Sequence, residues 1–331
     1  IAKGEAVYLA YTSGKTIFGK VPRSFTDLAR GRLGGVPHPV ILVAVVAVIQ
    51  WLSSIAWDGL VGLFGGEALA ELLGMPFWLA VVIVLAAQGV VGVLGYEVIH
   101  RVQAVMTVVL IVTFAIFAVK LVTGHQVVTA PTLAGADLSG AFVLEVTIAL
   151  SLAISWASYA SDYSRYLPVN TSRTAVFGYT FAGLAVAYIA VQAIGVAGAE
   201  VLTDQTAQGI RSIMGGGVLG ALALIVVALS SVASNAMNDY SGSLALQTVG
   251  VRVRRPVSAV VVVVMAFALI MWLHSGDMAG RFQGVLLFVS YWIPAFVAIV
   301  AIDWRYRSAG REEVNPAEES TGRTDAWVAL G

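Results

Sequence analysis

Long apolar runs alternate with short polar segments along most of the chain. A helix needs about 20 mostly apolar residues to cross a bilayer, and eight runs approach or exceed that length. They lie at 39–64, 77–95, 102–122, 140–160, 175–198, 217–237, 257–273 and 282–302. The runs are continuous and rich in Ala and Leu, which favours helices over strands. The pattern therefore predicts an all-α integral membrane protein with about eight spans.

Composition supports the bilayer as the solvent of this chain. Hydrophobic residues make up 59% of the sequence and charged residues only 11%, whereas soluble domains carry roughly 25% charged residues. The formal net charge is zero and cysteine is absent. Nucleic acid is therefore an unsuitable partner, and disulfides, thiolate metal sites and a cysteine nucleophile are excluded.

The distribution of lysine and arginine predicts the orientation of the spans. Alternate connecting segments hold most of the basic residues, and the segments between them hold only Lys120, Arg211 and Arg281. The positive-inside rule places the basic set in the cytoplasm. Residues 1–38 are then a polar cytoplasmic segment and residues 303–331 a cytoplasmic loop or tail. We predict a multi-pass protein of the cell membrane, plasma or inner.

Polar side chains inside the spans are the candidates for function, because each costs a few kcal/mol at membrane depth and faces the bundle interior or a water-filled path. The richest groups lie in spans one, four and six: Gln50, Trp51, Trp57 and Asp58; Glu145, Thr147, Ser151, Ser155 and Trp156; and Ser230, Ser231, Ser234, Asn235 and Asn238. Asp58 lies about three-quarters along its predicted span. Its carboxylate can bind a ligand, a cation or a proton, or make an interhelical hydrogen bond near the outer end.

Other residues of these groups have two interpretations each. The indoles of Trp57 and Trp156 suit stacking on a flat ligand, although tryptophan is also common at membrane interfaces. Ser230, Ser231 and Asn235 offer oxygen atoms within about one and a half helical turns, which suits Na⁺ or an amide contact to a solute. Serine in membrane helices also bonds its own backbone or a neighbouring helix.

Sequence motifs of the main enzyme classes are absent. The sequence contains no HExxH, GxSxG or Walker motif, and its four histidines lie near span ends or in loops. A metalloprotease, a serine hydrolase, an ATP-driven pump and a haem-carrying subunit are therefore disfavoured. We predict that the protein is not an enzyme and carries no cofactor.

A long motif follows span four and resembles a family signature. Residues 155–168 read SWASYASDYSRYLP, which is similar to the signature of the nucleobase–cation symporter-1 family, the permeases for cytosine, purines, uracil, thiamine, allantoin and hydantoins. Trp57 with residues 65–69, Asn235 with residues 238–241, and residues 291–294 resemble its third, eighth and tenth helices. The resemblance covers residues 39–331.

The resemblance implies a specific architecture. The family has twelve helices, of which the first ten form two inverted repeats of five, so the eight runs correspond to helices three to ten. We expect helices one, two, eleven and twelve to lie outside this chain and the natural protein to be longer. Because the family's broken first helix supplies part of the substrate and cation sites, we do not expect this segment to transport alone.

The resemblance also implies roles for substrate-binding residues. Trp57 matches the aromatic residue that stacks on the substrate, and Trp156 resembles the second stacking aromatic, with Ser151 or Ser155 as the alternative contact. Asn235 matches the amide that binds the heterocycle. Val61 stands where the family usually has Gln or Asn, which leaves the identity of the substrate open.

The remaining roles concern the coupling ion and the helix ends. Ser230 or Ser231 resembles the hydroxyl pair of the sodium site, although some members use protons. Asp162 and Arg165 fall at the cytoplasmic end of span four and are expected to anchor a loop or gate. Inside that span, hydroxyls such as Thr147 recur every four residues on one helical face, where they could satisfy backbone groups freed by a helix break.

Together these features predict a secondary active transporter, part of a five-plus-five inverted-repeat bundle. It would couple Na⁺ or H⁺ to uptake of a nucleobase or related planar heterocycle. Trp57 and Trp156 would sandwich the ring, while Asp58, Ser155 and Asn235 bind its edge. The partners are that substrate and the lipid bilayer. The alternatives are a related amino-acid-type carrier and a non-transporting membrane scaffold subunit.

Overall fold

The computed structural model describes residues 15–16, 19–20, 38–94, 96–124, 134–164, 167–168, 170–199, 201–202, 206–248 and 255–309. A two-residue antiparallel pair comes first, β1 (Lys15–Thr16) with β2 (Gly19–Lys20). Helices make up the rest of these ranges: α1 (His38–Leu73), α2 (Phe77–Leu94), α3 (Tyr96–Gly124), α4 (Gly135–Ser164), α5 (Arg173–Ala197), α6 (Thr206–Ile213), α7 (Gly217–Thr248), α8 (Arg255–His274) and α9 (Met278–Ala309). Most of the two predicted cytoplasmic segments lies outside the described residues.

Six of these helices are long and apolar enough to cross a membrane, namely α1, α3, α4, α5, α7 and α9. Two shorter apolar stretches, Phe77–Gly92 and Val260–His274, belong to α2 and α8. The predicted all-α membrane bundle is therefore confirmed. The number of spans, their sidedness and the inverted repeat stay predictions.

The end of α1 is fixed by a glycine turn. Gly74 adopts φ +63°, and the Met75 N–H donates to the Ala70 carbonyl at 3.3 Å. This is the Schellman geometry that ends a helix at a left-handed glycine. The helix thus continues to Leu73, nine residues past the predicted end of the first span at residue 64.

Two helices, α1 and α7, form the centre of the fold. Glycines of α1 allow their close approach, because a side chain at Gly65 would meet Ser231 and one at Gly62 would meet Ile270 of α8. The Ser231 hydroxyl donates to the Val61 carbonyl at 2.9 Å. Small residues and polar links of this kind replace the hydrophobic effect as the cause of helix association in lipid.

Two apolar clusters flank this pair. One joins α1, α2 and α8, and the other joins α3, α7 and the turn after α6. The first contains Leu60, Leu63, Val81, Leu85, Ala266, Ile270 and Leu273, and the second Phe117, Leu121, Ile213, Met214 and Ala223. The first cluster packs α1 against α2 and α8, and the second packs α7 against α3.

Two further helices, α4 and α5, lie at the periphery. Large apolar side chains of α5 are mostly exposed, for example Phe177 at 70% and Ile189 at 71%. Backbone groups of a helix are satisfied internally, so such a surface suits contact with lipid. The α4 helix packs against α9, and the space described next lies between α4, α5 and the α1–α7 pair.

Candidate functional site

A cavity of about 190 Å³ lies between α1, α4, α5 and α7. Its lining is mixed, with aromatic rings, aliphatic side chains, hydroxyls and one carboxamide. The lining residues are Trp57, Val61, Leu152, Ser155, Trp156, Tyr159, Tyr188, Ser234, Met237 and Asn238. An apolar cavity with a few convergent polar groups is the usual form of a small-molecule site.

Aromatic side chains dominate the cavity. The predicted stacking residues Trp57 and Trp156 both line it, from α1 and α4 respectively. The Trp156 ring lies 6.0 Å from the Tyr159 ring at 60°, and the Tyr188 hydroxyl lies beside the Trp156 side chain. The structure thus brings both predicted indoles to one cavity and adds two phenols that the sequence analysis did not select.

The serines of α4 have local hydrogen bonds. Ser155 lines the cavity, as its predicted substrate-binding role requires, and its hydroxyl donates to the Leu152 carbonyl at 2.7 Å. The Thr147 hydroxyl donates to the Val143 carbonyl at 2.7 Å. The side chain of Ser151 is outside the described set. The expectation of a helix break near these residues is wrong, because α4 is helical from Gly135 to Ser164. The Ser155 and Thr147 hydroxyls instead bond to carbonyl groups of this continuous helix.

Two asparagines of α7 lie at different distances from the cavity. Asn235 is fully buried behind the lining, where its amide donates to the Asp58 backbone carbonyl at 3.1 Å and to Gln88 Oε1 at 3.0 Å. Asn238 lines the cavity and donates to Asn235 Oδ1 at 3.2 Å. The structure therefore places Asn238, rather than the predicted Asn235, where a carboxamide can reach a ligand.

The predicted contact of Asp58 with a ligand edge has no counterpart in the cavity lining. Asp58 is fully buried between α1 and α7, and its neighbours there are the side chains of Asp239, Asn238 and Gln88. It lies thirteen residues after Val45 and fifteen before Leu73, the ends of the candidate span. Asp58 therefore lies near the middle of the apolar stretch Val45–Leu73 of α1 rather than near its end.

The two serines predicted to bind Na⁺ have different hydrogen-bond partners. The Ser231 hydroxyl joins α7 to the Val61 carbonyl of α1 at 2.9 Å, while the Ser230 hydroxyl donates to Val227 of its own helix at 2.9 Å. The oxygen lone pairs of both remain able to accept a cation. A sodium site at this position stays a prediction.

The predicted gate residues lie at or beyond the edge of the described chain. Asp162 falls in the last turn of α4, where only the backbone is described, and Arg165 is outside the described residues. Their role as loop anchors stays a prediction.

Helical spacing could have identified cavity residues to which the sequence analysis assigned no role, such as Ser234, Asn238 and Tyr159. Ser234 and Asn238 are four residues apart on α7, and Ser155 and Tyr159 are four apart on α4, so each pair shares a helical face. No comparable sequence signal marks Tyr188, since α5 carries few polar residues around it. Its position depends on tertiary packing.

The protein family of permeases for cytosine/purines, uracil, thiamine and allantoin has a sequence model that matches residues 33–322 of this chain. The chain is 23% identical over 330 residues to "Putative purine-cytosine permease YxlA" of Bacillus subtilis, covering 96% of this chain and 69% of that protein. It is 25% identical over 279 residues to the purine-cytosine permease fcyB of Emericella nidulans, covering 78% and 54%.

A third relative is named for a different substrate. The chain is 22% identical over 281 residues to the vitamin B6 transporter TPN1 of Saccharomyces cerevisiae, covering 78% of this chain and 48% of that protein. The chain thus spans about half to two-thirds of the length of these relatives. Family members are multi-pass membrane transporters rather than enzymes, and the match of the family model to most of the sequence decides the assignment. This chain belongs to the family of permeases for cytosine/purines, uracil, thiamine and allantoin.

Proposed function

We propose that this chain forms the substrate-binding part of a cation-coupled importer of a nucleobase or related planar heterocycle. The observation that carries the proposal is the single cavity lined by Trp57 and Trp156, with the Asn238 carboxamide on its wall. Stacking on an indole binds any flat π-system, and an amide recognises its polar edge because it both donates and accepts hydrogen bonds. The compounds for which the relatives are named, purines, cytosine and vitamin B6, are planar rings of this type.

Stacking and edge recognition have separate consequences for specificity. Rings of similar size stack with similar energy, so the indoles select a class of compound. Polar groups on the cavity wall then discriminate within it, because a buried donor or acceptor left unpaired costs about 1–3 kcal/mol. Ser155, Ser234 and Asn238 supply these groups. Val61 places an aliphatic side chain beside them and narrows the set of rings that fit.

The test is binding of a panel of heterocycles to the protein at its natural length in detergent. The panel is cytosine, uracil, adenine, hypoxanthine, allantoin and a benzyl-hydantoin, each titrated with and without Na⁺ while tryptophan fluorescence is recorded. Quenching by at least one member is expected, because the ring would lie against the cavity indoles. A folded protein that responds to no member would contradict the proposal and favour an amino-acid-type carrier or a scaffold subunit.

A further inference from the structure

Two residues of the cavity wall are each followed directly by an aspartate. Trp57 precedes Asp58 on α1, and Asn238 precedes Asp239 on α7. A step of one residue turns about 100° round a helix, which carries each aspartate away from the cavity and into the α1–α7 contact. The two carboxyl groups lie side by side there, close enough to share a hydrogen bond. An aspartate pair therefore lies immediately behind the cavity wall.

Asp58 is buried and Asp239 is half-buried, and both are short of hydrogen-bond donors. Asp58 is 0% exposed. Neither carboxylate oxygen of Asp58 accepts a hydrogen bond of ordinary geometry from a described residue, and the same is true of Asp239 Oδ1. The donor to Asp239 Oδ2 is Gln88 Nε2, at a long 3.4 Å. An unpaired carboxylate at membrane depth costs several kcal/mol, so residues of this kind are expected to have a function.

Neighbouring helices supply no described positive charge to the pair. The side chains that face it or its helices are Gln88 from α2, Ile99 and Gln103 from α3, and Leu269 and Ile270 from α8. These side chains are amides or aliphatic groups. Among the described residues, the charged group that acts on Asp58 is Asp239 itself.

Titratable groups elsewhere on these helices are separated from the pair. Glu67 and Glu71 of α1 lie nine and thirteen residues beyond Asp58, about 13 Å or more along the helix. Tyr240 packs against the apolar cluster around Ile99, and Tyr159 lies on the cavity. The pair must therefore reduce its own charge by binding a cation.

We propose that Asp58 and Asp239 together bind one proton, and that this proton is the coupling ion of transport; the second part rests on the proposed function. The proton adds to one carboxylate oxygen, forming an O–H bond, and that hydroxyl donates to the other carboxylate. The charge of the pair falls from minus two to minus one, which removes the repulsion between like charges. The proton is taken from water on one side and released to water on the other.

The surrounding groups suit a proton better than Na⁺. Sodium takes several oxygen ligands, but Gln88 directs its N–H₂ group at Asp239 while its oxygen accepts from Asn235. The two carboxyl groups have one amide donor beside them, and a single proton shared between them would supply the hydrogen bond that they lack.

Hydrogen bonds connect the pair to the cavity. Asn238, on the cavity wall, donates to Asn235, and Asn235 donates to the Asp58 backbone carbonyl. A change in charge at the pair therefore affects Asn235, which accepts the hydrogen bond from Asn238, and Trp57, which directly precedes Asp58 in the chain. This connection gives protonation a direct route to substrate affinity.

The proton site is tested without substrate by infrared titration of the natural-length protein in detergent. We expect a protonated-carboxyl band that disappears as the pH rises, is unaffected by Na⁺, and is missing from both Asp58→Asn and Asp239→Asn. Glu97→Gln is the matched control, since that side chain is 81% exposed on α3. A band that survives in a folded variant, or that Na⁺ abolishes, would overturn the proposal.

The coupling role is tested in proteoliposomes with a heterocycle that binds in the panel. An inward proton gradient is expected to drive accumulation by the wild type. In Asp58→Asn and Asp239→Asn, which preserve side-chain shape, binding should persist and become independent of pH, while accumulation is lost. Retained proton-driven accumulation in either variant would refute the coupling role. If no heterocycle binds, the proposed function fails, and the infrared titration still decides whether the pair holds a proton.

Discussion

At the scale of single residues, the two asparagines of α7 have different tasks although one helical turn separates them. Asn235 uses both of its amide hydrogens and its oxygen on protein groups: the Asp58 carbonyl, Gln88 and Asn238. Asn238 gives one hydrogen to Asn235 and also lines the cavity. One residue supports the site and the other is available to a ligand.

This division predicts opposite results for two alanine substitutions. Asn238→Ala should weaken heterocycle binding roughly 5- to 150-fold, because it removes a ligand contact worth about 1–3 kcal/mol, and it should lower the melting temperature less than Asn235→Ala does, because only Asn235 Oδ1 loses its donor. Asn235→Ala should instead lower the melting temperature, because it leaves the buried Gln88 and Asp58 groups unpaired. Calorimetry and a thermal-stability assay on the same samples separate the two. Equal effects of both variants on binding and on stability would contradict the assignment.

At this scale, the sequence predicts which types of residue line the site better than it predicts which of two nearby residues does so. Trp57, Ser155 and Trp156 were selected because aromatic or polar side chains inside a span need a reason, and all three line the cavity. Asn235 was preferred to Asn238 because a resemblance between sequences does not show which face of α7 meets α4. Asp239 was not selected, since its pairing with Asp58 depends on a contact between helices 181 positions apart in the sequence.

At the scale of elements, the close contact between α1 and α7 determines the position of the site. Gly65 has no side chain, which leaves room for Ser231, and the Ser231 hydroxyl bonds the Val61 carbonyl one turn away. This contact aligns Trp57 and Asp58 of α1 with the asparagines of α7. The register of the two helices is thus a condition for both the cavity and the aspartate pair.

Adding one methyl group at this contact should destabilise the bundle. Gly65→Ala is expected to lower the melting temperature, with a cost of about 1–3 kcal/mol, because the new carbon meets Ser231 in a packed interface. Gly89→Ala on α2 is the matched control, since nothing lies within 4 Å of its added carbon; it should be neutral or stabilising by up to about 1 kcal/mol. A Gly65→Ala protein as stable as the control would mean that the contact is loose.

The end of α1 is hard to predict from its glycines, because glycine occurs both at helix ends and at close contacts between helices. The predicted first span ends at residue 64, whereas Gly65 and Gly66 lie inside α1 against neighbouring side chains. The helix ends at Gly74, where a left-handed conformation is required. Because the helix is longer than predicted, Asp58 lies near the middle of its apolar stretch rather than near the end. An interhelical hydrogen bond at the outer end is then no longer the simplest interpretation of this residue.

At the scale of the whole molecule, the cavity separates a packed core from a peripheral pair of helices. The core side is α1 and α7, held by the clusters with α2, α8 and α3. The other wall is α4 and α5, whose outer surfaces are apolar and exposed. A ligand between these parts contacts both, as alternating access requires of a substrate that links two moving bodies.

The predicted sidedness can be tested on a cysteine-free background, because the chain contains no cysteine. Ser275→Cys, between α8 and α9, should react with a membrane-impermeant maleimide on intact cells. Asn170→Cys, between α4 and α5, should react only after permeabilisation, because the neighbouring basic residues are expected to be cytoplasmic. Reaction of Asn170→Cys on intact cells, with Ser275→Cys protected, would reverse the orientation.

The most direct test of the central claim is heterocycle binding after removal of the two cavity indoles. Trp57→Ala and Trp156→Ala are compared by calorimetry with Trp78→Ala, whose side chain is 54% exposed on α2 away from the cavity. Each cavity substitution should weaken binding by about 1–3 kcal/mol, the usual value of a base–aromatic stack, while the control binds as the wild type does. Wild-type affinity in the Trp57→Ala and Trp156→Ala proteins would contradict the stacking site and the function built on it.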